Sequence, residues 1–220
     1  MTDVYIVQKL ENNKDIIVNV PGSKSITNRA LMLAALSDGE CNLDGVLFSD
    51  DSRAFLDCLE KLGFQLFIDE NEKRVKVVGT SGKIPNRKAT IDVRSAGTAA
   101  RFLTVMLAVT GGEYTLNSSE QMKKRPMGEI IDLLRNAGVK ISCLEEEGHF
   151  PFIISSNGLD KKEVSINTDT SSQYASALLM AAVMTGLKIK LTGKRVNGAY
   201  IKITLNMLKQ FGIKYIQAEE

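Results

Sequence analysis

Three hydroxyl residues stand at equivalent places along the chain, and their surroundings could bind an anion. Ser25, Thr98 and Ser172 each lie 14 residues before a glycine that closes an apolar stretch, at Gly39, Gly112 and Gly186. A hydroxyl at the start of a helix has two uses. It can cap the terminus by accepting an orphan N–H. It can also join the free N–H groups and the positive dipole end in holding an anion. The neighbours favour the second use. Lys24 and Arg29 bracket the first helix start, where two cations oppose the dipole unless an anion compensates. Gly97 precedes Thr98 and lets a ligand approach the backbone closely. Ser171, Ser172 and Gln173 are consecutive neutral hydrogen-bonding groups. Arg125 directly precedes Pro126, the expected first residue of a helix, which makes it a second cation at a helix start.

Helices must hold these residues, and the chain supplies them three times. SKSITNRALMLAALSDGECNL, SAGTAARFLTVMLAVTGGEYTL and TSSQYASALLMAAVMTGLKIKL read alike: a small polar cluster, an apolar stretch, a glycine, a strand-like run. Their glycines are 73 and 74 residues apart. A second series, RAFLDCLEKLGFQL, MGEIIDLLRNAGVKI and ITLNMLKQFGIKY, ends at Gly63, Gly138 and Gly212, which are 75 and 74 apart. Two independent series with one period imply three copies of a unit of about 74 residues.

The two helix types differ. In the second series Phe55, Leu59 and Leu62, then Met127, Ile130, Ile131 and Leu134, recur at helical spacing, so one face is buried and one is wet. The closing glycines suit the left-handed C-terminal cap. The first series is apolar nearly all round, as over 30–36 and 177–184, which predicts helices surrounded by protein. Alternating or β-branched runs at 16–20, 74–79, 89–93, 151–155 and 163–167 predict strands. Each unit reads as strand, buried helix, strand, amphipathic helix, strand, strand. No Pro- or Gly-rich linker divides the chain, so one domain is expected.

Composition narrows the classes. Lys plus Arg is 28 and Asp plus Glu is 26, a balance that excludes a dedicated nucleic-acid binder. Hydrophobic residues at 44% exclude disorder, and no apolar run nears the roughly 20 residues of a membrane span. The N-terminus lacks the order of a signal peptide. Cys41, Cys58 and Cys143 are an odd number without paired spacing, read as reduced thiols of a cytoplasmic protein. His149 is the only histidine, which excludes multi-histidine metal sites. Ser49, Asp50 and Asp51 suit a helix cap, and Asp51 could sit at the mouth of the site. The run at 145–147, Lys161 and Lys162 read as solvated, and the methionines as core filler.

PGSKSITNRALMLAAL at 21–36 resembles the signature of the 5-enolpyruvylshikimate-3-phosphate synthase family. The likeness continues through SDD at 49–51, AGTAARFL at 96–103, KRPMGEIIDLLRNAG at 124–138, SSQYASALLMAA at 171–182 and YIKITLNMLKQFGI at 200–213. It covers essentially the whole chain, but only the first half of the family's usual polypeptide. The resemblance implies an α/β (α+β) enolpyruvyl transferase lobe of three βαβαββ units around buried helices, an inside-out α/β barrel, over residues 15–220. Residues 1–14 would form a strand belonging to the second lobe. It implies transfer of the enolpyruvyl group of phosphoenolpyruvate to the 5-hydroxyl of shikimate 3-phosphate, in aromatic amino-acid biosynthesis, with no metal and no organic cofactor.

By motif, Lys24, Ser25 and Arg29 match shikimate 3-phosphate ligands. Lys24 also reaches phosphoenolpyruvate and is the one catalytic residue the likeness puts in this chain. Gly97 and Arg125 match phosphoenolpyruvate contacts. Ser171, Ser172 and Gln173 match further shikimate 3-phosphate contacts, with Gln173 near both substrates. Ser95 stands where Asn is frequent, and Asn197 where Ser is frequent, which leaves Asn197 a doubtful ligand. The family's acid, base and further basic residues belong to the second lobe, so the chain alone is expected to be inactive. Lys24→Ala and Arg29→Ala are expected to weaken substrate binding without unfolding the chain. Two alternatives remain: a UDP-N-acetylglucosamine enolpyruvyl transferase-like lobe, opposed by SKSITNRA and SSQ, and a non-enzymatic anion-binding module.

Overall fold

The computed structural model describes residues 5–6, 20–196 and 198–218. The second unit shows the expected order complete: β4 (Lys88–Asp92), α3 (Gly97–Thr110), β5 (Gly112–Asn117), a short α4 (Glu120–Lys123), α5 (Gly128–Asn136), β6 (Lys140–Cys143) and β7 (Phe152–Ser156). The first unit runs α1 (Lys24–Leu36), β1 (Asp38–Asp44), α2 (Asp50–Lys61), β2 (Leu66–Asp69) and β3 (Arg74–Thr80). The third runs β8 (Glu163–Asn167), α6 (Ser172–Ala181), β9 (Lys188–Thr192) and α7 (Ala199–Gln210). The strand expected over 16–20 and the one expected within 1–14 fall largely outside the described residues.

The sheets repeat one pattern. In the second unit the order is β4-β5-β7-β6, with β4 parallel to β5 and the other pairs antiparallel. β1-β3-β2 reproduces the antiparallel part, and β8-β9 the parallel part, with Val164 opposite Ile189 and Ile166 opposite Leu191.

The helices sort as their periodicity predicts. α3 buries nearly every side chain, Phe102, Leu103, Met106 and Leu107 among them. α1 buries Leu31 to Leu36, and α6 buries Tyr174, Ala175, Ala177 and Leu178. These three helices contact one another. On the outer helices only a stripe is buried: Phe55 and Leu59 on α2, Ile130, Ile131 and Leu134 on α5, Ile201 and Leu208 on α7. Gly63, Gly138 and Gly212 end them at φ of 88°, 98° and 72°, where a side chain would be strained.

One set of repeat positions meets at the centre. Arg29, Phe102 and Ser176 each lie ten residues before the glycine of their unit. The Arg29 guanidinium carbon is 5.3 Å from the Phe102 ring centroid, and its Nη2 donates to Ser176 Oγ at 2.9 Å.

Ser25, Thr98 and Ser172 stand in the first turns of α1, α3 and α6, as expected, and none of them caps its helix. The N-caps are Ser23, Ala96 and Ser171, and only Ser171 caps with its side chain, accepting from Gln173 N. The expectation that Pro126 opens a helix is corrected. α5 starts at Gly128 after its N-cap Met127, and the Pro126 carbonyl accepts from the Tyr174 hydroxyl at 2.8 Å. The Ser49 cap does form, as a reciprocal box with Ser52.

Candidate functional site

The starts of α3 and α6 meet at an open pocket of about 400 Å³, lined by Arg101, Arg125, Pro126, residues 170–174 and Arg195. The helix starts hold its walls. α6 carries Ser171, Ser172 and Gln173, half-buried at its first turn. α3 carries Arg101 one turn in, where its Nη1 donates to the Gly97 carbonyl at 3.0 Å and the guanidinium lies over the Tyr174 ring. Arg125 follows the end of α4, its N–H held by the Met122 carbonyl. It therefore enters from a turn between helices, not from a helix start.

Gly97 explains how two arginines share one place. A Cβ there would stand 2.9 Å from Arg125 Nη1 and 3.0 Å from Arg101 Nη1. The bare glycine lets both guanidiniums close over the α3 terminus. Their charges repel, and among the described residues no carboxylate lines the pocket. Among the described residues none of Arg101, Arg125 and Arg195 has an ion-pair partner, whereas Arg53, Arg74, Arg94 and Arg135 pair with Glu70, Asp44, Asp57 and Glu147. The Nε of Arg101 is buried without a hydrogen-bond partner. Positive side chains, two positive helix ends and neutral donors together select an anion. Burial raises the pKa of the Tyr174 hydroxyl despite the opposing pull of Arg101, so it remains a neutral donor. A second pocket of about 420 Å³ between α5 and β8 carries Glu129, Asp132 and Glu163 beside Lys161, a lining unsuited to anions.

The remaining predicted residues lie apart from this lining. Lys24, exposed at the start of α1, pairs with Asp51 at 3.2 Å. The Ser25 carbonyl accepts from Arg29 Nη1 at 2.8 Å. Arg29 is only 1% exposed. Besides Ser25 and Ser176, it donates from Nε to Thr204 Oγ1 at 2.8 Å, and its guanidinium lies near the Tyr200 ring. Burial pulls its pKa down to about 10, with Tyr200 opposing, so it stays charged at neutral pH. A side chain so enclosed supports the core, and the expectation that Arg29→Ala spares the fold is revised accordingly. Asn197 lies outside the described residues. Ser95 is exposed and shares a 2.7 Å contact with the Ser119 hydroxyl.

Sequence reasoning missed Arg101 and Arg195. Arg101 had a signal: it sits four residues after Gly97, one helical turn, on a helix otherwise apolar. Arg195 had none, because only the turn between β9 and α7 brings it to the pocket.

Comparison with known proteins agrees with this architecture. The family model described as EPSP synthase (3-phosphoshikimate 1-carboxyvinyltransferase) matches residues 9–220. The 3-phosphoshikimate 1-carboxyvinyltransferase of Neisseria meningitidis serogroup B is 43% identical over 208 residues, 92% of this chain and 47% of that protein. That of Trichormus variabilis is 36% identical over 220 residues, 99% of this chain and 52% of that protein. The chain thus spans about half the length of the curated relatives it matches. Among solved structures, EPSP synthase from Acinetobacter baumannii superposes with a TM-score of 0.75 at 24% identity, over 92% of this chain and 44% of that one. The enolpyruvyl transferase NikO from Streptomyces tendae gives 0.51 at 14%, over 84% and 43%. These two likenesses carry the fold, and the family model carries the rest: the chain belongs to the EPSP synthase family.

Proposed function

We propose that this chain is the substrate-binding N-terminal lobe of an enolpyruvyl transfer from phosphoenolpyruvate to shikimate 3-phosphate, acting in the cytoplasm with a second lobe. The observation that carries this reading is the pocket of three arginines without carboxylate partners at the starts of α3 and α6. Both substrates are anions, and unpaired arginines with oriented N–H groups hold phosphates and carboxylates in fixed geometry.

In the reaction, the methylene carbon of phosphoenolpyruvate gains a proton while the 5-hydroxyl of shikimate 3-phosphate attacks the neighbouring carbon and gives up its own proton. The tetrahedral adduct then loses phosphate and a methyl proton, which leaves the enolpyruvyl ether. The residues of this lobe hold the anions and neutralise charge. Lys24 serves both substrates once it exchanges Asp51 for a ligand. The proton-transfer groups and further cations come from the second lobe. Holding reactants between two lobes supplies much of the rate.

Thermal melting with and without shikimate 3-phosphate tests the binding claim. At a hundredfold excess over Kd, stabilisation of about 2.7 kcal/mol raises Tm by roughly 5–10 °C for a chain of this size. Phosphate release by the chain alone stays at background. An unchanged Tm would remove the lobe reading in favour of a non-enzymatic module, and turnover above a few per cent of a full-length enzyme would refute the need for a second lobe.

A further inference from the structure

We infer that the third unit presents a docking slot for an extended strand of a partner polypeptide. The strand runs antiparallel to β9, with apolar residues at alternate positions and a small hydroxyl residue at its end. The inference goes beyond the function proposed above and does not rest on it.

The first two units show what such a slot holds. β3 pairs with β1 and β7 with β5, both antiparallel, and β2 and β6 close the far edges. Each middle strand packs on the buried helix of its unit, β3 on α1 and β7 on α3. Their inward residues, Val75 and Val77, Phe152 and Ile154, are buried. Each strand ends in a hydroxyl that donates to an alanine carbonyl near the end of that helix: Thr80 to Ala35 at 3.5 Å, and Ser156 to Ala108 at 2.6 Å.

The third unit builds the same surroundings. β8 is the one described strand that pairs with β9. On the far side the chain leaves α7 as it leaves α2 and α5. Ile213 N donates to the Leu208 carbonyl at 2.9 Å, as Phe64 N does to Leu59 at 3.0 Å and Val139 N to Leu134 at 3.1 Å. After those bonds the first two units enter β2 and β6, whereas residues 213–217 form no strand. The helix beneath differs in the same sense. Leu36, Val109 and Val183 each stand three residues before the glycine of their unit, and they are 3%, 5% and 39% exposed. α6 gives way to a 3₁₀ turn over Ala182–Met184, where α3 is still α-helical at the equivalent 108–110. Val183 thus shows apolar surface at the place that β3 and β7 cover in the other units. An added strand would bury it and give residues 213–217 a partner.

The chain's own spare strand sequence does not suit the slot. By the repeat, the run at 16–20 belongs beside β1, as β4 lies beside β5 and β8 beside β9. A second copy pairing through β9 would set Lys188 and Lys190 against their own counterparts, which opposes like charges across the strands. A partner segment patterned like β3 meets neither objection.

The probe is a synthetic peptide with the sequence of β3, and its control carries aspartate at the two inward valines. The readout is amide hydrogen exchange of the whole chain, alone and with peptide. The β3 peptide is expected to slow exchange at Ile189, Leu191 and residues 213–217 by about tenfold or more at saturation, and the control peptide is not. Val183→Asp, at an exposed position, abolishes the effect, while Leu144→Asp, an exposed apolar residue of the second unit, leaves it intact. No slowing by the β3 peptide, or equal slowing in Val183→Asp, would overturn the slot. Protection without peptide would overturn the partner as occupant: a rise with chain concentration would put a second copy there, and protection at every concentration would put the chain itself there.

Discussion

The ammonium of Lys24 stands 3.2 Å from the Asp51 carboxylate, joining the first residue of buried α1 to the first turn of α2. Asp51 already serves its own helix, where an acidic side chain complements the N-terminal dipole. Among the described residues it is the one ionic partner of Lys24. The lysine side chain is 47% exposed, so water screens the pair, and such pairs contribute about 0–1 kcal/mol.

Asp51→Asn therefore changes Tm by no more than about 3 °C. It strengthens binding of inorganic phosphate a few-fold at low salt, because Lys24 no longer has to exchange partners. Calorimetric titration at two salt concentrations checks this. An affinity equal to the parent's would mean that Lys24 does not contact the anion.

Arg29 gives a sharper contrast. Arg29→Ala leaves a cavity in the core and strips a donor from both Ser176 and Thr204, at a cost of about 3–5 kcal/mol. Arg29→Met fills most of the space without burying a charge and recovers most of that loss. Thr204 and Ser176 can still bond each other, 2.9 Å apart. Urea unfolding separates the two variants. If Arg29→Ala were as stable as the parent, the guanidinium would not be a structural group.

Alkaline stability should depend on Cys58. The thiol is buried, and burial pushes its pKa from 9.0 up to about 12. From pH 9 upward the unfolded chain releases this proton while the folded chain keeps it, so stability falls across the window from 9 to about 12. Between pH 9 and 11 the parent should lose stability more steeply than Cys58→Ala, by up to about 1.4 kcal/mol per pH unit. Denaturant titrations at several pH values give both slopes, and parallel slopes would refute the burial argument.

Much of this fold can be read from the chain because burial writes two different periods. Ala30 to Leu36 is apolar on all sides and lies between other helices. Phe55, Leu59 and Leu62 form a stripe and lie on one face. Those patterns are local, and a reader of the sequence has them whole. Caps are less legible, since they turn on a shift of one or two residues: Ser23 and Ala96 are the N-caps, and Ser25 and Thr98 already lie in the first turn. The burial of Arg29 was illegible for another reason. Its partners Ser176 and Thr204 are 147 and 175 residues away along the chain, and nothing near Arg29 announces them. The pocket was half legible. Gly97 and Ser171 to Gln173 belong to repeated motifs, whereas Arg195 depends on the path of a turn.

The meeting of Arg29, Phe102 and Ser176 bears on how three look-alike units avoid confusion. Units of similar shape can dock in the wrong order, or against a like unit from a neighbouring molecule. Two first units side by side would press one buried guanidinium against another, with no hydroxyl to accept from either. Two third units would leave a hole where the arginine belongs. Only unlike units fill this place with every polar atom of the trio partnered. The sequence difference at one repeated position thus acts as an address, telling each copy which neighbours to accept.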